Sequence, residues 1–267
     1  MRNQLSQEQI AQYRRDGFLV IEGFLDAEEL EHWRRTVGEA VESRLNAAVP
    51  EGSHPLNNTG AEEYYAQVFL QCLRLADTHD GMRELMFDRR LGEVAGRLAG
   101  VSGIRIWHDQ ALIKQPYGNP TAWHLDNPYW SFSSPDSISI WVALDDATLS
   151  NGCLYYLPGT HNSAKYETAD IGQNIGDLFK VYPEWLSIEP VACPCPAGSA
   201  VFHNGLTAHG AGANMTPRPR RAMTCAYMPD GSTFNGKPNI LSNAYLETLA
   251  VGDVLDSPSE NPLIWSD

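Results

Sequence analysis

Apolar and polar residues follow two different periods along this chain. In the first hundred residues the period is helical. Ser6 followed by Gln9, and Asp26 followed by Glu29, have capping-box spacing, with Asp standing in for Ser/Thr in the second. After Asp26, the apolar residues Leu30, Trp33, Val37, Val41 and Leu45 recur every three or four positions, one face of a helix of roughly five turns. Between the two helices, GFLVIEGFL is rich in β-branched and aromatic residues and predicts a short strand. Residues 50–60 read as a loop from their Pro, Gly and Asn content, and amphipathic stretches near 61–76 and 88–99 predict two further helices.

After Gly100 the period shortens to two. In 137–145 (SISIWVALD), Ile138, Ile140, Val142 and Leu144 alternate with Ser137, Ser139, Trp141 and Ala143. Further strands are predicted near 103–115, 152–157, 188–193, 199–203 and 221–228, separated by breakers such as NGC, PGT, PAG and MTPRP. Such spacing marks an all-β sandwich or barrel. The stretch 161–187 has Gly172 and Gly176 but weak periodicity, and reads as an insertion or lid over one barrel mouth. Helices first and strands afterwards, without βαβ alternation, predict an α+β fold. No linker separates the halves, so residues 1–267 read as one domain, with a mainly helical part over 1–100 and a β core over 101–267.

Composition narrows the partners. Nineteen Lys and Arg against 33 Asp and Glu give a net charge of −14, which argues against nucleic acid and against anionic membrane surfaces. No segment approaches the roughly 18 uninterrupted apolar residues of a membrane helix, and the polar N-terminus lacks the apolar core of a secretory signal. Cys72, Cys153, Cys193, Cys195 and Cys225 form an odd, scattered set, and the C-x-C pair has no second pair to complete a zinc site. Reduced thiols in a cytoplasmic protein are the expectation.

The chemistry concentrates in two segments. In PTAWHLDNPYW (120–130), His124 and Asp126 stand two apart, so on an extended chain they project from one face and offer adjacent ligands to a metal. A second histidine would complete the two-His-one-carboxylate set of non-haem Fe(II) oxygenases. Alone, H-x-D is a weak signal that occurs by chance, and it reads more readily as a surface His beside a turn-capping Asp. In SAVFHNGLTAHGAGANMTPRPRR (199–221), His209 is followed eleven positions later by Arg220, across a Gly/Asn/Pro turn. A strand pair could hold that imidazole and guanidinium in one cavity, the guanidinium suited to grip a carboxylate through two parallel bonds. A metal triad with a nearby arginine is what a 2-oxo diacid requires.

The H-x-D of His124 and Asp126, NGCLYYLPGTH at 151–161 and HGAGANMTPRPR at 209–220 together resemble the phytanoyl-CoA dioxygenase family. The resemblance runs from YRRDGFLVIEGFL near the N-terminus to PLIW near the C-terminus. It implies a double-stranded β-helix, or jelly roll, with the N-terminal helices packed outside it, and dependence on Fe(II), 2-oxoglutarate and O₂. It also implies that His124, Asp126 and His209 ligate iron and that Arg220 binds the distal carboxylate of 2-oxoglutarate. Arg221, its neighbour on a strand, faces the other way. Lys114 matches a family lysine before the H-x-D and is a further candidate for co-substrate contact. Gln110 and Trp141, on strands expected to line the barrel, are weaker candidates, and core packing accounts for Trp141 equally well. His203 lacks the ligand spacing and is read as lying behind the ligands. His161 is read as holding the rim loop; His108 carries no ligand claim; His32, His54 and His79 read as surface or capping residues.

The implied reaction hydroxylates an unactivated C–H bond of a small organic substrate, releasing succinate and CO₂. Related halogenases replace the carboxylate by a small residue, and here Asp126 is intact. Desaturation, epimerisation and cyclisation use the same triad and stay open, as does a non-catalytic jelly roll that only binds its ligand. A zinc hydrolase would leave Arg220 unexplained. Asn127, Tyr129 and Trp130, directly after the ligands, are candidates to line the pocket mouth, with Tyr117 and the 161–187 stretch closing over it. The acidic balance disfavours a polyanionic CoA ester.

Overall fold

The computed structural model describes residues 1–47 and 63–267. The loop expected at 50–60, His54, and the first two residues of the 61–76 stretch lie outside that range. Both predicted capping boxes form. They open α1 (Gln7–Asp16), which ends at Gly17 with φ 83°, and α2 (Ala27–Asn46). The buried face of α2 is Trp33, Thr36, Val37, Ala40 and Val41, whereas Leu45 at its end is exposed. Between the helices lies β1 (Phe18–Ile21), as expected.

The stretch 61–76 is not one helix. A single turn, α3 (Glu63–Ala66), gives way to β2 (Leu70–Leu73), which pairs antiparallel with β3 (Gly103–Lys114). Backbone pairing with β3 outweighs the weak helical pattern, and strand alternation then puts Cys72 in the core while Gln71 and Leu73 face the cavity described below. Two helices follow. The first, α4 (Asp80–Met86), is capped by the His79 imidazole, which accepts from the Met82 N–H; the second, α5 (Arg89–Ala99), starts at Asp88 and stops at Gly100 with φ 77°.

The remaining strands are β4 (Thr121–His124), β5 (Ile138–Ala143), β6 (Leu154–Tyr156), β7 (Val191–Cys193), β8 (Ala200–Asn204), β9 (His209–Ala211), β10 (Arg220–Pro229) and β11 (Leu263–Ser266). One antiparallel sheet runs β1-β8-β5-β10-β3-β11, with β2 also on β3; the other runs β4-β9-β6-β7. Phe18, Trp141, Leu154, Tyr156 and Val201 pack between the two sheets. On its other face the larger sheet carries the N-terminal helices, through a core in which Trp33, Leu75, Leu91, Ile140, Met223 and Trp265 meet. The chain is thus α+β, a jelly-roll core with helices outside it. All five cysteines are free and buried, and burial pushes Cys193 up to about 12 and Cys195 to about 11. Among the described residues, no helix is long and apolar enough to cross a membrane.

Between β6 and β7, the predicted insertion forms short helical turns, including α6 (Leu178–Val181), around a stacked Tyr182–Trp185 pair with ring centroids 3.9 Å apart. A second excursion, between β10 and β11, contains α7 (Asn243–Leu246) and was not anticipated as a cover.

Candidate metal centre and co-substrate pocket

His124 and His209 stand directly opposite each other in the β4–β9 register, with ring centroids 4.2 Å apart. Asp126 reaches them by a different route from the one the spacing predicts. The strand ends at His124, and Asp126 has helical backbone angles, φ −82° and ψ −54°, at the start of a 3₁₀ turn. The Gly205 carbonyl holds this turn by accepting from the Asp126 N–H at 3.0 Å and the Asn127 N–H at 2.9 Å. As a result, Asp126 Oδ1 lies 3.6 Å from His124 Nε2 and 3.7 Å from His209 Nε2. One ligand atom from each of the three residues falls within 4.8 Å of the others.

The far side of each group is also engaged. His124 Nδ1 pairs with the Ala122 carbonyl at 2.8 Å and His209 Nδ1 with the Thr207 carbonyl at 3.0 Å, which makes Nδ1 the protonated nitrogen and leaves the Nε2 lone pairs free. His203 Nε2 at 3.1 Å and Ser139 Oγ at 3.3 Å donate to Asp126 Oδ2, so only Oδ1 faces the histidines. Tyr156 OH, 3.0 Å from His203 Nδ1, orients that ring in turn. Burial draws both imidazoles down to about 4, with the neighbouring His209 adding to the effect on His124. Burial alone would raise the Asp126 carboxyl, but the pull of His209 and the hydrogen bond from His203 hold it well below the usual carboxylate range. Two neutral imidazoles and an ionised carboxylate, aimed at one point, are a donor set suited to a divalent transition metal.

The triad opens into a cavity of about 380 Å³ whose lining also includes Arg220. Arg220 is 2% exposed, its Nε and one terminal nitrogen have no hydrogen-bond partner, and its guanidinium lies 5.1 Å from the Trp141 ring centroid. A buried, unpaired guanidinium is costly unless a counter-anion completes it, and its planar fork matches a carboxylate. Arg221 takes the opposite face, where Asp145 binds it at 2.9 and 2.7 Å, and Arg218 is exposed. Lys114 is opposite Arg220 in register and fully buried, but its ammonium is bound by the Asn119 carbonyl at 2.6 Å and lies outside the cavity lining. Burial and then Arg220 bring its pKa down to about 7.

The profile of the phytanoyl-CoA dioxygenase (PhyH) family matches residues 13–222. This chain belongs to that family. The methylphosphonate hydroxylase of Gimesia maris is 27% identical over 229 residues, 85% of this chain and 82% of that protein. The ectoine dioxygenase of Bordetella bronchiseptica is 26% identical, over 86% of this chain and 78% of its own length. Among solved structures, the α-ketoglutarate-dependent carbocyclase SnoK from nogalamycin biosynthesis superposes with a TM-score of 0.78 at 27% identity, over 97% of this chain and 96% of that one. The epimerase SnoN, solved with Fe³⁺, α-ketoglutarate and nogalamycin RO, gives 0.73 at 27% identity over 97% and 98%. With the phytanoyl-CoA dioxygenase family comes the enzyme class, an oxygenase that uses Fe(II), 2-oxoglutarate and O₂.

The other predicted pocket residues of this family member divide. Gln110, Trp141, Tyr129 and Trp130 line the cavity, Gln110 accepting from the Gln71 side-chain amide at 2.5 Å. Trp141 both packs in the core and supports the Arg220 guanidinium. Asn127 does not line it: its buried amide donates to the Phe132 carbonyl and accepts from the Ser134 N–H, which shapes the turn after Asp126. Tyr117 is 70% exposed and also stands outside the lining. The 161–187 stretch does reach the mouth, through Ile171 and through a Tyr129 OH hydrogen bond to the Ala169 carbonyl. His161 ties its turn to the end of α1, with Nε2 3.2 Å from the Arg14 carbonyl, and does not line the cavity. Sequence reasoning passed over His108 and the Asn239–Leu241 segment, all of which line the cavity. For His108 the signal was available: with Gln110 and Leu112 it forms the alternating inner face of β3.

Proposed function

We propose that this chain is an Fe(II)- and 2-oxoglutarate-dependent dioxygenase that hydroxylates an unactivated C–H bond of a small organic molecule. His124, Asp126 and His209 hold the iron in this reading, and Arg220 grips the distal carboxylate of 2-oxoglutarate. The single observation that carries it is the convergence of three candidate ligand atoms within 4.8 Å on a cavity that also contains a buried guanidinium with two nitrogens lacking a hydrogen-bond partner. When bound, the iron and co-substrate supply the oxidative decarboxylation and the oxidant that takes hydrogen from carbon.

The chain's own residues do the rest. His203 and Ser139 keep Oδ2 of Asp126 occupied, so the carboxylate would offer a single oxygen to a bound metal. The Trp141 ring, its centroid 5.1 Å from the guanidinium carbon, supports the Arg220 cation. Tyr129, Trp130 and Ile171 line the mouth and restrict water. Residues 1–267 act as one oxygenase domain, the helices buttressing the larger sheet. Five free thiols support a reducing compartment, which we read as the cytoplasm.

A second reading shares every step up to hydrogen removal and then forms a ring or inverts a centre. The overlay on a carbocyclase and an epimerase favours it. Anaerobic addition of Fe(II) and 2-oxoglutarate should produce the visible charge-transfer band, and O₂ should then release succinate. A product with one added oxygen supports hydroxylation; a product of unchanged mass, or lighter by two hydrogens, supports the second reading. If no band forms in the wild type, or if His124→Ala retains it, the ligand assignment fails.

A further inference from the structure

The inner face of the larger sheet is laid out in rows, because residues directly opposite in antiparallel strands point the same way. His108, Ala226, Ser139 and His203 are successive partners across β3, β10, β5 and β8. One row further, Leu73, Gln110, Thr224 and Trp141 are partners across β2, β3, β10 and β5. Arg220 lies beyond these, towards the other end of β10. The first row therefore has two ends. At one, Ser139 and His203 hold Asp126; at the other, two strand spacings from Ser139, or about 10 Å, stands His108. Only the methyl of Ala226 separates His108 from Ser139, which leaves room for a substrate body between His108 and the metal triad.

That end of the cavity is uncharged. His108 is 8% exposed, Trp130 meets its ring edge-on at 6.3 Å and 87°, and Leu73, Ile240 and Leu241 complete the wall. Burial takes the His108 imidazole down to about 4, so it is neutral at physiological pH, and the residue lines the cavity. Cations near this end are already committed. Arg74 is paired with Asp77 and Glu260 and donates to the Ile240 carbonyl, while Lys237 binds the Pro128 carbonyl. Among the described lining residues, Arg220 is the one strong cation and Asp126 the one carboxylate. Both are taken by the co-substrate and the metal in the reading above, on which this inference rests.

We propose that the substrate is an uncharged molecule with a ring-sized apolar body, seated against Trp130 and Leu241 and anchored by a hydrogen bond between a hydroxyl or carbonyl group and His108. A phosphonate, carboxylate or CoA ester would enter this wall without a countercharge, and desolvating an unpaired ion costs several kcal/mol. A neutral ring with one polar group instead satisfies the imidazole and buries apolar surface.

The test uses the full-length protein loaded anaerobically with Fe(II) and 2-oxoglutarate, and reads perturbation of the charge-transfer band by three probes: 1-tetralol, tetralin-1-carboxylate and methylphosphonate. Tetralol is expected to bind at least about tenfold more tightly than either anion. His108→Leu should weaken tetralol about tenfold, and His108→Gln, which keeps a hydrogen-bonding group, should recover most of that loss. Leu73→Arg, which adds a cation to the same wall, should reverse the preference towards the carboxylate. Equal or tighter binding of an anion by the wild type overturns the proposal. So does tetralol that fails to perturb the band, or that binds His108→Leu with wild-type affinity. The band itself forms before any probe is added, so its absence would count against the oxygenase reading and not against this inference.

Discussion

Replacing His203 by leucine should loosen the metal site without touching a ligand. His203 is buried, and its Nε2 donates at 3.1 Å to the oxygen of Asp126 that faces away from His124 and His209. A hydrogen bond to a charged group contributes about 1.5–3 kcal/mol. Ser139 still holds the same oxygen at 3.3 Å, which places the loss in the lower half of that range, about 1.5–2 kcal/mol. That is about a tenfold to thirtyfold rise in the metal dissociation constant, within the about 10–100-fold typical of partners behind metal ligands. The assay is an anaerobic Mn(II) titration followed by the resonance of the free ion, with Fe(II) calorimetry as a check. His203→Gln keeps a donor for Asp126 and should recover most of the loss. Tyr156→Phe removes only the bond that orients the His203 ring, worth about 1 kcal/mol, or about fivefold. Wild-type metal affinity in His203→Leu would refute the reasoning. So would a Gln variant no better than Leu, or a Tyr156→Phe loss larger than that of His203→Leu.

Three other outcomes follow from the same geometry. Arg220→Leu should raise the 2-oxoglutarate dissociation constant by about 30-fold or more, about 2 kcal/mol, while Mn(II) affinity holds; equal loss of both in the two titrations would contradict its role. Gly205→Ala would bring a Cβ to 2.6 Å from Ser137 Oγ and 3.2 Å from Asn127 Cβ, displacing the carbonyl that holds the Asp126 turn. A loss of about 1–3 kcal/mol in urea unfolding, with weakened metal binding, is expected. Lys114, lowered to about 7 from 10.5, carries its proton in the unfolded chain but not in the folded one between those values. Stability should therefore rise with pH across that window by up to about 1.4 kcal/mol per pH unit, with the cost fully present below about pH 7. Urea unfolding of the metal-free protein at pH 7 and 9 should show the wild type gaining on Lys114→Met; a constant difference would exclude the shift.

The features legible in the sequence are those set by local chemistry. Both capping boxes depend on residues three apart, and both form. The alternation in 137–145 became β5, because a strand between two buried neighbours is fixed by its own pattern. What stayed hidden depends on distant partners. Leu70–Leu73 resembles a helix segment until β3 is there to pair with it, and α4 is capped by His79, a residue type outside the usual Ser, Thr, Asp and Asn caps. In the site, the family resemblance pointed to His124, Asp126 and His209, which the structure brings together, but the turn that presents Asp126 depends on Gly205, which is remote in sequence. Asn127 looked like a pocket residue because it adjoins Asp126, yet its amide is consumed by the turn itself. His108 was readable from its alternation with Gln110, but the row it shares with Ser139 and His203 exists only across strands.

The cross-strand pair of His124 and His209 has a thermodynamic consequence. These positions are 209 − 124 = 85 residues apart in sequence yet directly opposite in the smaller sheet. An ion held by both is a stitch that closes a long loop, as a disulfide would, and loop closure on this scale is worth about 4–5 kcal/mol of chain entropy. The same ion that does the chemistry would then set the melting temperature. Chelation should loosen β4 from β9 first, exposing the segment between the ligands to proteases before the helical layer yields.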